Sequence, residues 1–197
     1  MMDQESEFFN IKHNKLKPEK GRVLIAEPFL GGRYFKRSVV LLVQYSPNGS
    51  VGFVLNKPVH LTLSDVLVDF PSFEAEVFVG GPVDTNRIYF IHTLSHLIPN
   101  SSHIKDDLYW GGDFDVLRQL LEQRRIHISQ IRFFAGYSGW DAGQLEGEIQ
   151  EDSWMVADMD VPSIMNVENI EIWKQSLHKL GGKYRMWSNF PENPSLN

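Results

Sequence analysis

Residues Gly136-Tyr137-Ser138-Gly139-Trp140 set a serine between glycines, as near as this chain comes to the nucleophile turn of a serine hydrolase. That strained turn needs G-x-S-x-G, and here the second glycine arrives one position early, so Ser138 is not expected to attack a substrate. His92 and His96 stand four apart, which on a helix would bring two metal ligands together. The preceding Ile88-Tyr89-Phe90-Ile91 reads as extended, and along a strand the same spacing opens to ~13 Å, too wide for one ion. No metal site is expected, and the histidines are expected to face solvent. Gly182-Lys183 is followed by Tyr184 and has no glycine five residues before it, so there is no P-loop, and the dinucleotide fingerprint G-x-G-x-x-G is missing too. The chain has no cysteine, which removes thiolate metal sites, iron–sulfur clusters and a cysteine nucleophile. Asp106, Asp107 and Asp113, or Glu146 and Glu148, offer paired carboxylates, but an acidic chain has many and the pairing carries little information. No cofactor is expected.

Glycine-rich corners are the stronger signal. They are Gly80-Gly81-Pro82-Val83, Gly111-Gly112-Asp113 and the run from Gly136 to Glu146. Each follows a predicted strand, and the last two lead into predicted helices. Glycine allows positive φ and close approach of a second backbone. A turn that enters a helix also directs free N–H groups outward, where an anion or carbonyl can be held. Asp141 counts against an anion, because as a helix cap it would accept those N–H groups and repel a phosphate. The corners are expected to meet in one hollow. Its candidate lining is Gly80, Gly81 and Gly136, with Tyr137 and Trp140 supplying apolar area with a polar tip, and Asn56 and Gln144 supplying paired donors and acceptors.

The elements that must position these groups are mostly strands. Short runs rich in Val, Ile, Phe and Tyr predict strands at Arg22–Ala26, Ser38–Tyr45, Val51–Asn56, Glu76–Val79, Ile88–Thr93, Ile104–Trp110, Ile131–Tyr137 and Ser153–Ala157. Ser46-Pro47-Asn48-Gly49-Ser50 predicts a hairpin between the second and third. Thr62-x-x-Asp65 resembles a capping box. Asp113 can cap a helix whose Phe114, Leu117, Leu120 and Leu121 share one face, and Asp141 one through Gln144–Ile149. Asn166 or Asn169 can cap a last helix that ends at Gly181. Strands and helices do not alternate regularly, which predicts an α+β fold with mostly antiparallel strands.

The 197 residues, 42% hydrophobic and 22% charged, suit a single folded unit and exclude wholesale disorder. The expected division is a polar extension over 1–20, one α+β domain over 21–187 and an irregular tail over 188–197. Phe8, Phe9, Ile11 and Leu16 are the extension's possible anchors. The net charge is −6, and residues 133–173 hold nine carboxylates and no Lys or Arg. Nucleic-acid binders usually show the opposite, a basic stripe, so direct DNA binding is not expected. The N-terminal residues lack a signal-peptide core, and the longest aliphatic run, Val39–Val43, is far short of a membrane span. A cytoplasmic protein, without a membrane partner, is expected.

These segments carry a family likeness. Gly21-Arg22-Val23-Leu24-Ile25-Ala26 with Pro28, Arg37–Leu42, Gly52-Phe53-Val54-Leu55-Asn56-Lys57-Pro58, Val79–Val83, Gly111-Gly112-Asp113, and Gly136–Trp140 with Gly143-Gln144-Leu145-Glu146 together resemble the YqgE/AlgH family of bacterial proteins, in one order from about residue 20 to 185. The family pattern commonly has Arg at the position of Lys57 and Ala at that of Ser138, which further weakens Ser138 as a nucleophile. Gly31-Gly32 also departs from the pattern. The resemblance implies an α+β fold with a branched, coiled antiparallel sheet closing partly into a small barrel, flanked by helices. It implies no established reaction; some members carry a transcriptional-regulator label. The resulting expectation is a non-catalytic regulatory module that binds a small molecule or a protein partner, with any transcriptional role indirect. The alternative is an enzyme, such as a hydrolase, with a His or carboxylate site near the glycine corners.

Overall fold

The computed structural model describes residues 16–191. The anchors Phe8, Phe9 and Ile11 and the tail beyond 191 lie outside the described residues. Ten strands run in the path β10-β1-β2-β3-β9-β6-β8-β7, with β4 and β5 branching from β9. Their ranges are β1 Val23–Ala26, β2 Val39–Ser46, β3 Gly49–Val54, β4 Pro58–Thr62 and β5 Glu76–Val79. They continue with β6 Val83–His92, β7 Ser102–Lys105, β8 Leu108–Trp110, β9 Ile131–Asp141 and β10 Trp154–Ala157. Six helices flank them among the described residues: α1 Leu63–Val66, α2 Phe114–Glu122, α3 Gln144–Gln150, α4 Val161–Met165, α5 Ile172–Leu180 and α6 Gly182–Trp187. All pairings are antiparallel except β5 with β9. The fold is α+β, as the irregular order of elements predicts.

Alternation of side chains explains why several strands read as unbroken apolar runs. On β1, Val23 and Ile25 face one core while Leu24 and Ala26 face another. Leu41 and Val43 on β2 join the first core, and Val40 and Leu42 join the second. A strand buried on both faces has no polar face to show. The first core is covered by α4, α5 and α6 through Ile164, Trp173, Leu177 and Trp187. The second lies under α3. A third packs α2, through Leu117, Leu120 and Leu121, on Val77, Phe90 and Phe133.

β9 is the branch point. Val77–Val79 of β5 pair with Phe133–Ala135, and Gly49–Gly52 of β3 pair with Ser138–Asp141. The sheet coils but is not closed into a barrel. Where the coil brings its ends near each other, side chains bridge them: Lys20 Nζ donates to the His103 carbonyl and Lys105 Nζ to that of Met159, both at 3.0 Å. Among the described residues no helix is long and apolar enough to cross a membrane.

Local expectations fared unevenly. The hairpin forms with Ser46 opposite Gly49, the Thr62/Asp65 capping box opens α1, and Asp113 caps α2 by accepting from Asp115 N and Val116 N. Asp141 does not cap α3. β9 continues through it, Gly143 at φ 76° starts the helix, and the Asp141 N–H donates to Gln144 Oε1. Neither Asn166 nor Asn169 caps α5, whose N-cap is Glu171, although Gly181 ends it at φ 70°. The run Ile104–Trp110 is a hairpin, β7 and β8, folded at Asp106 with φ 44°. β4, α4 and α6 carry no signal that the sequence reading used.

Candidate ligand-binding cleft

Two of the three glycine corners touch. A Cβ on Gly80 would lie 2.0 Å from the Gly136 carbonyl oxygen, and one on Gly81 would lie 2.3 Å from the Tyr137 carbonyl. Gly136 sits at φ 69°, where a Cβ would be 2.5 Å from the Val83 oxygen. The chain leaving β5 therefore crosses β9 backbone on backbone, and only glycine permits it. Hydrogen bonds seal the crossing. Gly80 N donates to the Ala135 carbonyl, and the Gly80 carbonyl accepts from Val54 N and Ser138 Oγ. Ser138 is fully buried by this, which explains why its hydroxyl faces no substrate.

The third corner lies apart and serves another purpose. Gly111 offers its carbonyl to His92 Nε2 at 3.0 Å, while His92 Nδ1 accepts from Leu94 N. The two bonds assign the ring proton to Nε2. His92 is fully buried, contrary to the expectation of solvent-facing histidines, because β6 carries it under the Ile98–Ser101 turn. Burial pushes its pKa below the ordinary histidine value. His96 is exposed, and the described residues contain no group of three or more His, Asp or Glu able to hold a metal ion.

The remaining expected residues divide between two places. Tyr137, Trp140 and Gln144 line a concavity of about 400 Å³ beside the β2–β3 hairpin. Trp140 is nearly buried and its indole N–H donates to Glu148 Oε2 at 2.9 Å; the Trp154 indole donates to the same oxygen at 2.8 Å. Gln144 spends its amide internally, accepting from Asp141 N and donating to Glu148 Oε1. Tyr137 packs edge-on against Tyr89. Nearby, Tyr45 donates to Glu146 at 2.6 Å, and that bond pushes its phenol up to about 12. Asn56 stands apart from these and braces the loop before β2, accepting from Val39 N at 3.0 Å and donating to the Arg37 carbonyl at 2.9 Å.

A hollow of about 510 Å³ opens where the glycine crossing ends. Val79 and Ala135, each immediately before a crossing glycine, form part of its wall. β4 and the residue before it contribute Lys57, Pro58, Val59 and His60. The loop before β2 contributes Arg33 and Tyr34, and the irregular start of β6 contributes Thr85. The side chains of Arg33, Tyr34 and Thr85 have no hydrogen-bond or ion-pair partner among the described residues. His60 Nδ1 lies 3.6 Å from the Glu76 carboxylate, at φ 62°. None of the nine lining residues is acidic. Sequence reasoning missed this lining. Its one legible trace was Gly31-Gly32 ahead of Arg33, a flexible approach to an otherwise unremarked cation.

Compared with known proteins, residues 23–185 match the family described as DUF179, AlgH-like. The chain is 42% identical over 191 residues to a UPF0301 protein of Parabacteroides distasonis, covering 96% of each. It is 42% identical to one of Bacteroides fragilis over the full length of both. Its fold is similar to a crystal structure of a Corynebacterium diphtheriae protein, with a TM-score of 0.73 at 22% identity over 93% of this chain and 97% of that one. It is similar also to the solution structure of the Pseudomonas aeruginosa AlgH protein, with a TM-score of 0.70 at 24% identity over 90% and 98%.

Proposed function

The chain belongs to the AlgH-like family, and from that premise we propose that it is a non-catalytic module that binds a small molecule in the 510 Å³ cleft. The observation carrying this reading is that the cleft combines a back wall set by the glycine crossing with three polar side chains, Arg33, Tyr34 and Thr85, that have no hydrogen-bond or ion-pair partner among the described residues. Small-molecule sites are concavities of roughly 300–1,000 Å³ with few convergent polar groups on a largely apolar lining. Val59, Pro58, Val79 and Ala135 supply that lining here. The burial of Ser138 and His92 argues against either as a reacting group. Any regulatory output would then pass through the bound ligand or a protein partner rather than through direct reading of DNA.

The test is a thermal-shift screen of charged and uncharged metabolites, followed by amide chemical-shift mapping of the compounds that raise the melting temperature. Hits should perturb Val59, Val79, Thr85 and Ala135 and lose their effect in Tyr34→Ala. A screen in which every hit maps elsewhere, or no compound moves the transition, would overturn the reading.

A further inference from the structure

Resting on the cleft reading above, we propose that the ligand is a phosphorylated small molecule with an apolar or planar body. The charge pattern carries this. The protein has a net charge of −6, yet the lining of this hollow holds Arg33, Lys57 and His60 and no carboxylate. The nine acids of the segment 133–173 are kept away from it: Ala135 is that segment's only lining residue. Glu76 meets the His60 imidazole, and Asp84, beside Thr85 in sequence, is paired with Arg87 and Tyr89.

Arg33 is the decisive group. A guanidinium lining a concavity, with no hydrogen-bond or ion-pair partner among the described residues, can offer its planar donor fork to whatever enters, and that fork matches the oxygens of a phosphate in bidentate fashion. Thr85 and Tyr34 add hydroxyls that can donate to further oxygens. A phosphate, with several oxygens, can take the Arg33 fork and these hydroxyls at once. The rest of the lining is a different chemistry. Pro58, Val59, Val79 and Ala135 offer apolar surface, and the Tyr34 ring offers a face for stacking. The site therefore asks for a molecule that carries both a phosphate and an uncharged apolar or planar part.

The experiment is an isothermal titration of the full chain, without magnesium, using ADP, pyrophosphate, adenosine and glucose 6-phosphate, for wild type and Arg33→Gln, with amide mapping of each ligand. Arg33 is exposed and has no hydrogen-bond or ion-pair partner among the described residues, so the variant should fold as wild type does. ADP should bind, perturbing Thr85 and Ala135, with adenosine and pyrophosphate each at least about tenfold weaker. Arg33→Gln should weaken ADP about tenfold, since a charged hydrogen-bonded pair is commonly of that size. Raising salt should weaken wild type more than the variant. Glucose 6-phosphate binding as tightly as ADP would support the phosphate and reject the planar body. Adenosine matching ADP, with Arg33→Gln silent, would overturn the phosphate while leaving the cleft as a ligand site. If an uncharged screening hit maps to the cleft and no phosphorylated probe does, the inference fails alone; if nothing of either class maps there, it fails together with the reading beneath it.

Discussion

Gly136 shows how much one absent methyl group can decide. At φ 69°, with the Val83 oxygen 2.5 Å from where a Cβ would stand, alanine there meets both backbone strain and a clash with atoms that cannot rotate away. Gly136→Ala should cost about 2–4 kcal/mol in urea denaturation. Gly31→Ala, where nothing lies within 4 Å of the added carbon, should stay within about 0.5 kcal/mol. Equal effects would refute the crossing as the cause. His92 makes a second prediction at this scale. Its folded pKa is lowered by burial, so below the ordinary value near ~6.5 the unfolded chain takes up a proton that the folded protein resists. Stability should fall as pH drops below that value and level off once the folded ring also titrates. Protonation would put a hydrogen on Nδ1, where the Leu94 N–H now donates. In His92→Gln that acid-side slope should shrink; an unchanged slope would assign the pH dependence to other groups.

The elements show what holds the second cavity in shape. Helix α3 is fastened to β9 and β10 by one carboxylate, Glu148, which accepts both indole N–H groups on one oxygen and the Gln144 amide on the other. Trp140 and Trp154 are 5% and 1% exposed, so neither N–H has water as a substitute. Glu148→Ala leaves both donors unsatisfied and should cost about 2–4 kcal/mol, with a changed tryptophan emission. Glu148→Gln, which retains one acceptor oxygen, should cost less. If both variants match wild type, α3 is held by Leu145 and Ile149 alone. This arrangement was half legible. Trp140 and Gln144 stood out by residue type, but the reading joined them through Asp141 as a cap. Glu148 was noticed only as one carboxylate among many. The strand β9 was also cut short at Tyr137, because glycine at 139 reads as a break; in the sheet it sits opposite Val51 and the strand runs on to Asp141.

At the scale of the whole molecule, Arg132 ties layers together. It leaves β9, donates to the Leu55 carbonyl at 2.7 Å and to the Ile164 carbonyl of α4, and lies over the Phe78 ring at 4.5 Å. Burial pushes its guanidinium down to about 9, which still leaves it charged at neutral pH. Two opposing effects decide its mutants. Removing a buried charge relieves desolvation, while losing the side chain leaves a cavity and two carbonyls without donors. Arg132→Ala incurs the second fully and should lose about 3–5 kcal/mol. Arg132→Met fills the space between the aromatic rings, sheds the charge, and should lose less than half as much. Denaturant midpoints with equal slopes would measure both; Met as harmful as Ala would mean that the carbonyl bonds dominate.

By itself the sequence determined whatever is decided within a few residues. The two-faced burial of β1 and β2 follows from their unbroken apolar runs. The Asp113 cap, the Thr62/Asp65 box and the hairpin at Pro47-Asn48 follow from side chains that bond to their own neighbours or accept a given backbone angle. The glycine pairs announced a close approach without saying to what. Only tertiary structure decided that Gly80, Gly81 and Gly136 meet while Gly111 and Gly112 do not, that His92 is buried, and that the 510 Å³ hollow is walled by residues drawn from positions 33 to 135. Those outcomes depend on which strands pair across the branch at β9. A pairing between segments about fifty residues apart leaves no periodic mark on either one, because its free energy comes from surfaces that exist only after both have folded.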